Sequence, residues 1–190
     1  MKNVGRFYKV SLEQFLKDLK ARSADRFEYK YDDLVKSAEE VLEDLAMPRR
    51  KTVGSAGYDF FSPFKFNLLP GESIIIPTGY KVQIKDEWWL AIYPKSGLSF
   101  EYRLKLDDTI PVIDGDYFNN KNNEGHILIK ITNNSHHSGN ARIVNFDAGD
   151  AYCQAIFSEY GLTDNDDTTE TREGGFGSTG RKSYTKFWTT

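Results

Sequence analysis

The sequence predicts a mainly β protein, a sandwich, jelly roll or barrel, with a short helical N-terminal segment and an extended C-terminal arm. Three observations carry that expectation. Between Thr52 and about Tyr160 the chain is a succession of short β-branched or aromatic runs bounded by Gly, Pro, Asn and Asp. No long helical pattern interrupts them, which counts against a parallel α/β sheet. The first 50 residues instead carry helical periodicity, and the chain beyond Tyr160 turns acidic and polar. The expected organisation is therefore a helical appendage over 1–50, a β domain over 51–160, and a linker and arm over 161–190.

The first helix is announced by Ser11-Leu12-Glu13-Gln14, which has capping-box spacing with Ser11 as N-cap. Leu12, Phe15, Leu16 and Leu19 then recur at helical intervals. A second helical pattern begins near Asp32 and gathers Leu34, Val35, Ala38, Val41, Leu42 and Leu45 on one face. Glu39, Glu40 and Glu43 stay on the other face, and Pro48 ends the pattern. Candidate strands follow at 73–77, 80–84, 88–93, 127–132, 141–146 and 151–157, separated by breakers such as Leu69-Pro70-Gly71-Glu72 and Asn133-Asn134-Ser135. From Thr163 to Glu170 the chain is too polar to bury apolar area and reads as a linker.

Composition narrows the class of function. A chain of 190 residues can bury a sizeable core in one main domain. Lys and Arg number 25 against 28 Asp and Glu, a formal net charge of −3, so no global basic field draws the protein to nucleic acid. One cysteine, Cys153, excludes an internal disulfide and a four-cysteine metal site, and suits a reducing compartment. Apolar runs are short, Ile74-Ile75-Ile76 among the longest, and Met1 to Arg6 lacks the apolar stretch of a secretory signal. The expectation is a soluble cytoplasmic protein without a membrane or nucleic-acid partner.

Three constellations carry chemistry. In Gly174-Gly175-Phe176-Gly177-Ser178-Thr179-Gly180 the glycines let backbone amides approach an anion, while Ser178 and Thr179 add hydroxyl donors. Arg172, Arg181 and Lys182 supply positive charge around it. Gly175 and Gly180 have the separation of a nucleotide-triphosphatase phosphate loop, but Arg181 rather than Lys follows Gly180, and the flanking strand and helix are missing. A tail of chance composition is the other alternative, and Phe176 is what such tails usually lack. Tyr93-Pro94-Lys95-Ser96-Gly97-Leu98 offers a cation, a hydroxyl and a small residue where a strand ends; alone it reads equally as a β-turn with a solvated lysine. Val112-Ile113-Asp114-Gly115-Asp116-Tyr117 sets two carboxylates on the same side of an extended backbone, either as general base or metal ligand, or as caps of a turn. His126, His136 and His137 read as packed or solvated, Trp88-Trp89 as packing, and Cys153 as a small buried apolar residue.

Together with Ala56-Gly57-Tyr58-Asp59-Phe60 and Gly149-Asp150-Ala151-Tyr152-Cys153-Gln154, these segments resemble, in order, the five motifs of the trimeric dUTP pyrophosphatases. The resemblance runs from Gly54 to Gly180 and leaves residues 1–53 uncovered. It implies a jelly-roll-like β-sandwich or barrel subunit in a homotrimer, with motifs one, two and four of each site from one subunit, three from a second and the arm from a third. It implies that dUTP and water give dUMP and pyrophosphate. Asp114 would orient and deprotonate the water that attacks the α-phosphorus, and Tyr117 would pack under the deoxyribose and exclude UTP. Ser96, Gly97 and Gln154 would contact the phosphates with Lys95 beside them. Phe176 would stack on uracil while Gly177, Ser178, Thr179 and Arg172 close over the β- and γ-phosphates. Mg²⁺ would be held mainly by phosphate oxygens and waters, with Asp59 at most outside its direct ligands.

The chain departs from that pattern in places. Lys95 replaces an arginine, exchanging a two-pronged donor for a point charge. Pro111, without an N–H, stands where Gly commonly precedes the Val-Ile-Asp. Asp108 replaces an asparagine, and Arg172 is one residue nearer the Gly-rich tip. The segment from Phe118 to Asn123 is longer than usual, which leaves Gly125 as the hairpin's far-side glycine. These departures, with residues 1–53, motivate an alternative: a non-catalytic or moonlighting regulator that binds a protein partner through residues 1–50, with nucleotide as its switch. A dCTP deaminase shares the fold, but Tyr117 and the Phe176-bearing tail follow the pyrophosphatase pattern. A carbohydrate-binding β-sandwich would explain exposed aromatics and not the ordered motifs.

Overall fold

The computed structural model describes residues 2–23, 31–138, 141–170 and 172. In chain order its elements are β1 (Gly5–Lys9), α1 (Leu12–Ser23), α2 (Tyr31–Asp44), β2 (Arg49–Arg50), β3 (Tyr58–Phe61), β4 (Phe66–Leu68), β5 (Ser73–Pro77) and β6 (Tyr80–Ile84). There follow β7 (Trp88–Pro94), α3 (Ser96–Tyr102), β8 (Leu104–Leu106), β9 (Val112–Ile113), β10 (Leu128–Asn133), β11 (Val144–Phe146) and β12 (Ala151–Glu159), with 3-10 turns at Gly115–Tyr117 and Ser135–Ser138. The largest sheet has the order β2-β3-β12-β7-β9 and a second has β5-β10-β8; β11 pairs with β4, and β1 with β6. Every one of these pairings is antiparallel.

Alternation builds the core. In β6, Tyr80, Val82 and Ile84 are buried while Lys81 and Gln83 turn outward. The same cluster takes in Phe15 and Leu19 of α1, Ala38 and Leu42 of α2, and Phe60, Ile76, Ile129 and Cys153 from the sheets. The helices thus share one core with the strands. Gly79 marks the closest approach: its φ is +77°, and a side chain there would meet Leu45 and Leu42 at 2.7 and 3.1 Å. Lys9 donates to the Leu42 and Glu43 carbonyls, satisfying acceptors that the end of α2 leaves open.

Ser11 caps α1 as its spacing implies, its hydroxyl accepting the Gln14 amide at 3.1 Å. The Gln14 side chain does not return to Ser11; its Nε2 donates to Asp18 at 2.6 Å. The N-terminal 50 residues are more than helical, because β1 pairs along β6 from Gly5↔Ile84 to Lys9↔Tyr80. Its sequence, with Gly, Arg and Lys around Phe7 and Tyr8, has no apolar alternation to announce it, whereas Gly5 fits because any side chain would strike the Phe157 ring and the Gln83 carbonyl. Strands β2, β3, β4, β8 and β9 are too short to show a period in the sequence, and the turn expected after Tyr93 opens into α3. Among the described residues no helix is long and apolar enough to cross a membrane.

Candidate active site

Strand β12 brings three sequence motifs side by side. Gln154 pairs in register with Asp59 of β3 on one side and Tyr93 of β7 on the other, and Cys153 faces Pro94. Lys95 follows directly, its ammonium 2.7 Å from Asp59 Oδ1. Asp59 is buried, and the Lys95 stem is only partly exposed. Gln154 Nε2 donates to the Pro94 carbonyl at 3.3 Å. Gly57 lies against this amide, where any Cβ would collide with Gln154 Oε1. Ser96 and Gly97 open α3 at the surface, and no atom lies within 4 Å of a Cβ placed on Gly97. One end of the sheet therefore presents an ammonium, a hydroxyl, a carboxamide and open glycine backbone, a donor set suited to phosphate oxygens.

A second cluster forms on the sheet's edge. The short strand β9 pairs Val112 with Ala91 and Ile113 with Leu90, and delivers Asp114 in extended conformation to the start of a 3-10 turn. Tyr117 closes that turn, buried, with its hydroxyl donating to the His126 carbonyl at 2.9 Å and accepting from Asn123 Nδ2 at 2.7 Å. Gly125 has φ +78°, and a Cβ there would come within 2.5 Å of the Tyr117 carbonyl, so the hairpin admits only glycine. The Arg172 guanidinium pairs with the Asp114 carboxylate, reaches Asp116 at 3.0 Å, and lies 5.8 Å from the Tyr117 ring centre. Asp114, Tyr117, Pro111, Ile110 and Arg172 line a cavity of about 280 Å³, beside exposed Asp108. Asp114 also lines a cleft of about 300 Å³ with Trp88, Trp89 and Tyr160, which places the tryptophan pair at the rim of the fold.

Burial pushes the Asp114 carboxyl above its usual range; the Arg172 charge opposes this and the Asp116 charge adds to it. Burial likewise raises the Tyr117 phenol and keeps it a neutral donor. A carboxylate so placed is a better proton acceptor than a solvated aspartate.

Within one chain the two clusters do not meet. Asp114 follows Ile113, which is opposite Leu90, whereas Lys95 follows Pro94 at the far end of β7. Six residues of strand separate those levels, roughly 20 Å at the usual rise. Arg172 stands at the Asp114 cluster and not beside Lys95. Phe176, Gly177, Ser178 and Thr179, with the whole Gly-rich tip, lie outside the described residues.

The sequence offers Ser11 only as a helix cap and His126 only as a packed or solvated residue, and it gives Asp18 and Glu124 no role. All four contact the hairpin that carries Tyr117, or form part of it. The one available signal was Asp18, a buried charge on the helix face that also buries Phe15 and Leu19. Among the described residues no group of three or more His, Cys, Asp or Glu is placed to hold a metal ion. Asp59 is occupied by Lys95, and Asp114 and Asp116 by Arg172. That set fits a hard cation carried on phosphate oxygens and waters, with no cage of protein ligands.

A family model described as dUTPase matches residues 43–180. The deoxyuridine 5'-triphosphate nucleotidohydrolase of Lactococcus lactis subsp. lactis is 35% identical over 138 residues, 72% of this chain and 89% of that protein. Its counterpart in Sodalis glossinidius is 31% identical over 150 residues, 75% and 92% of the two chains. The crystal structure of dUTPase from Streptococcus mutans matches with a TM-score of 0.55 at 32% identity, over 62% of this chain and 88% of that one. Staphylococcus bacteriophage 80alpha dUTPase with dUPNHPP matches 95% of this chain and 100% of its own, with a TM-score of 0.57; at 18% identity it shares the fold. A point mutant of the phage phi11 dUTPase, with a coordinated structural Mg(II) ion, matches at 0.53 and 23% identity over 67% of this chain and 92% of its own.

Proposed function

This chain belongs to the dUTPase family, has its jelly-roll β fold and hydrolyses dUTP to dUMP and pyrophosphate, and from that premise we propose how its residues divide the work. Asp114 is the general base. Its carboxylate takes a proton from water as the water oxygen attacks the α-phosphorus, the bond from that phosphorus to the bridging oxygen breaks, and pyrophosphate leaves. The cavity beside it receives the nucleoside. Tyr117 lies flat under the deoxyribose, where a 2′-hydroxyl would clash, and its own hydroxyl is already taken by His126 and Asn123. Pro111 has no N–H, and its carbonyl accepts from Ile92 at 3.1 Å, so uracil is read by other main-chain groups of the hairpin, including those about Gly125.

Lys95, Ser96, Gly97 and Gln154 hold the triphosphate. Mg²⁺, when bound, neutralises charge developing on the phosphate oxygens. Phe176 stacks on uracil, and Gly177, Ser178, Thr179 and Arg172 close over the β- and γ-phosphates, excluding bulk water. Arg172 leaves the Asp114 of its own chain when a triphosphate offers it more negative charge. The separation of Asp114 from Lys95 along β7 supports a homotrimer in which each site joins the phosphate cluster of one subunit to the nucleoside cluster of a second, with the arm of a third closing over them. The reaction belongs in the cytoplasm.

The observation that carries this reading is the union of Asp114, Tyr117 and Arg172 around one cavity. Pyrophosphate release from dUTP, dTTP, dCTP and UTP, measured side by side with and without Mg²⁺, tests it. Turnover is expected for dUTP alone, and Asp114→Asn is expected to bind dUTP without releasing pyrophosphate. Full activity of Asp114→Asn would overturn the assignment of the base.

A further inference from the structure

Two features of the chain stand apart from the family pattern: residues 1–42, which precede the family match, and the segment between Tyr117 and Gly125, which reads as longer than usual. In the fold they touch each other. Ser11, the N-cap of α1, donates to the Glu124 carboxylate from its amide, at 3.1 Å, and from its hydroxyl. Lys81 pairs with the same carboxylate at 3.0 Å. Further along α1, Lys17 donates to the Asn122 carbonyl at 3.0 Å, and the Tyr8 ring of β1 lies 5.5 Å from that of Phe118.

Beneath these contacts runs a buried connection. Asp18 of α1 lies 2.6 Å from His126 Nδ1, and the Gly79 amide donates to His126 Nε2 at 2.9 Å. A nitrogen that accepts carries no proton, so the ring proton sits on Nδ1 and points at Asp18. The carbonyl of the same histidine receives the Tyr117 hydroxyl. The path from α1 to the tyrosine is thus Asp18, His126, Tyr117.

We propose that the N-terminal segment braces the nucleoside half of the active site, with Glu124 and Asp18 as positioning residues that hold Tyr117 and its loop in the sugar-binding arrangement. The brace adds to the loop's own bonds, in which the buried Asn120 Oδ1 accepts from the Asn122 and Asn123 amides. Asn119, Glu124 and Gly125 have φ between 55° and 78°, and Asn119-Asn120-Lys121-Asn122-Asn123 supplies no apolar side chain to anchor it. Charge-assisted hydrogen bonds from a helix N-cap and a lysine supply direction that apolar contact there cannot. Exclusion of a 2′-hydroxyl is steric, so it depends on where the Tyr117 ring is held. The proposal rests on Tyr117 as the sugar-selecting residue.

Steady-state kinetics with dUTP and UTP on full-length Ser11→Ala, Ser11→Thr, Glu124→Gln and Asp18→Asn test it, with Tyr117→Ala and Lys2→Ala alongside. Glu124→Gln leaves the cap of α1 intact, and thermal melts establish that each variant is folded. KM for dUTP is expected to rise about three- to tenfold in Glu124→Gln and Ser11→Ala while kcat stays within about twofold. The preference for dUTP over UTP in kcat/KM should narrow, with Ser11→Thr restoring it and Lys2→Ala unchanged. Folded Glu124→Gln and Ser11→Ala proteins with wild-type KM and wild-type preference would overturn the brace. A Tyr117→Ala enzyme that still rejects UTP would instead overturn the sugar-selecting reading itself.

Discussion

Asp114 and Lys95 of the same chain stand at opposite ends of β7, one beside the edge strand β9 and the other beyond the rung where Pro94 faces Cys153. A single triphosphate cannot lie across both, so the proposed site takes its two halves from different copies. Mixed trimers reveal this. Refolded together, inactive Asp114→Asn and inactive Lys95→Ala/Gln154→Ala subunits should regain activity, because about a quarter of randomly assembled sites combine an intact half from each. Mixtures no more active than either parent would refute the arrangement.

The pH profile reports the surroundings of Asp114. Burial first, and the charge of Asp116 after it, raise its pKa, while Arg172 pulls it down. A base works only when deprotonated, so kcat/KM should fall with decreasing pH at a point above the ordinary aspartate value of about 4. Removing the like charge in Asp116→Asn should move that limb to lower pH, and Arg172→Ala should move it higher whatever it does to the maximum. Displacement of either limb in the opposite sense would contradict the assignment.

Acid should weaken the fold through the brace. For Asp18, burial is the largest influence and raises the pKa, but hydrogen bonds from His126 and Gln14 outweigh it and leave the group below its ordinary value. Glu124 is lowered in the same way, burial being opposed by Ser11 and Lys81. A folded-state pKa below the unfolded one contributes stability above about pH 4, lost as pH falls through the folded value. Thermal midpoints should drop over that window in wild type and drop less in Asp18→Asn; an unchanged acid slope would remove Asp18 from the account.

Gly57 and Gly125 separate a binding defect from a folding defect. At Gly57 an added methyl meets the Gln154 side chain, from Oε1 back to its Cβ at 3.3 Å, so Gly57→Ala should displace that carboxamide and raise KM, at a smaller stability cost than a change at Gly125. At Gly125 it meets backbone at positive φ, so Gly125→Ala should cost about 1–3 kcal/mol in denaturant unfolding. Equal stability of the two variants would refute the distinction.

The long strands β5, β6, β7, β10 and β12 and the face of α2 were legible in the sequence, because each carries enough residues for the burial pattern to repeat. Strands such as β9, Val112–Ile113, have too few for any period to appear, and their pairing partner defines them. Strand β1 is five residues long but lacks alternation, and the edge of β6 supplies its hydrogen bonds.

The candidate site divides along the same line. Lys95, Asp114, Tyr117 and Gln154, with Gly57 as part of the first motif, were legible only through the resemblance of five ordered motifs, because a short motif of fixed spacing is written locally. Tertiary structure decided which of them meet: β12 sets Gln154 against Asp59 and leaves Asp114 at the far end of β7. It also joined Asp18 to His126 and Ser11 to Glu124, across more than a hundred residues of chain. A hydrogen bond between two polar side chains imposes no period on the sequence around either one. Only the packing of α1 against the hairpin brings such partners within reach, and so only the folded chain discloses them.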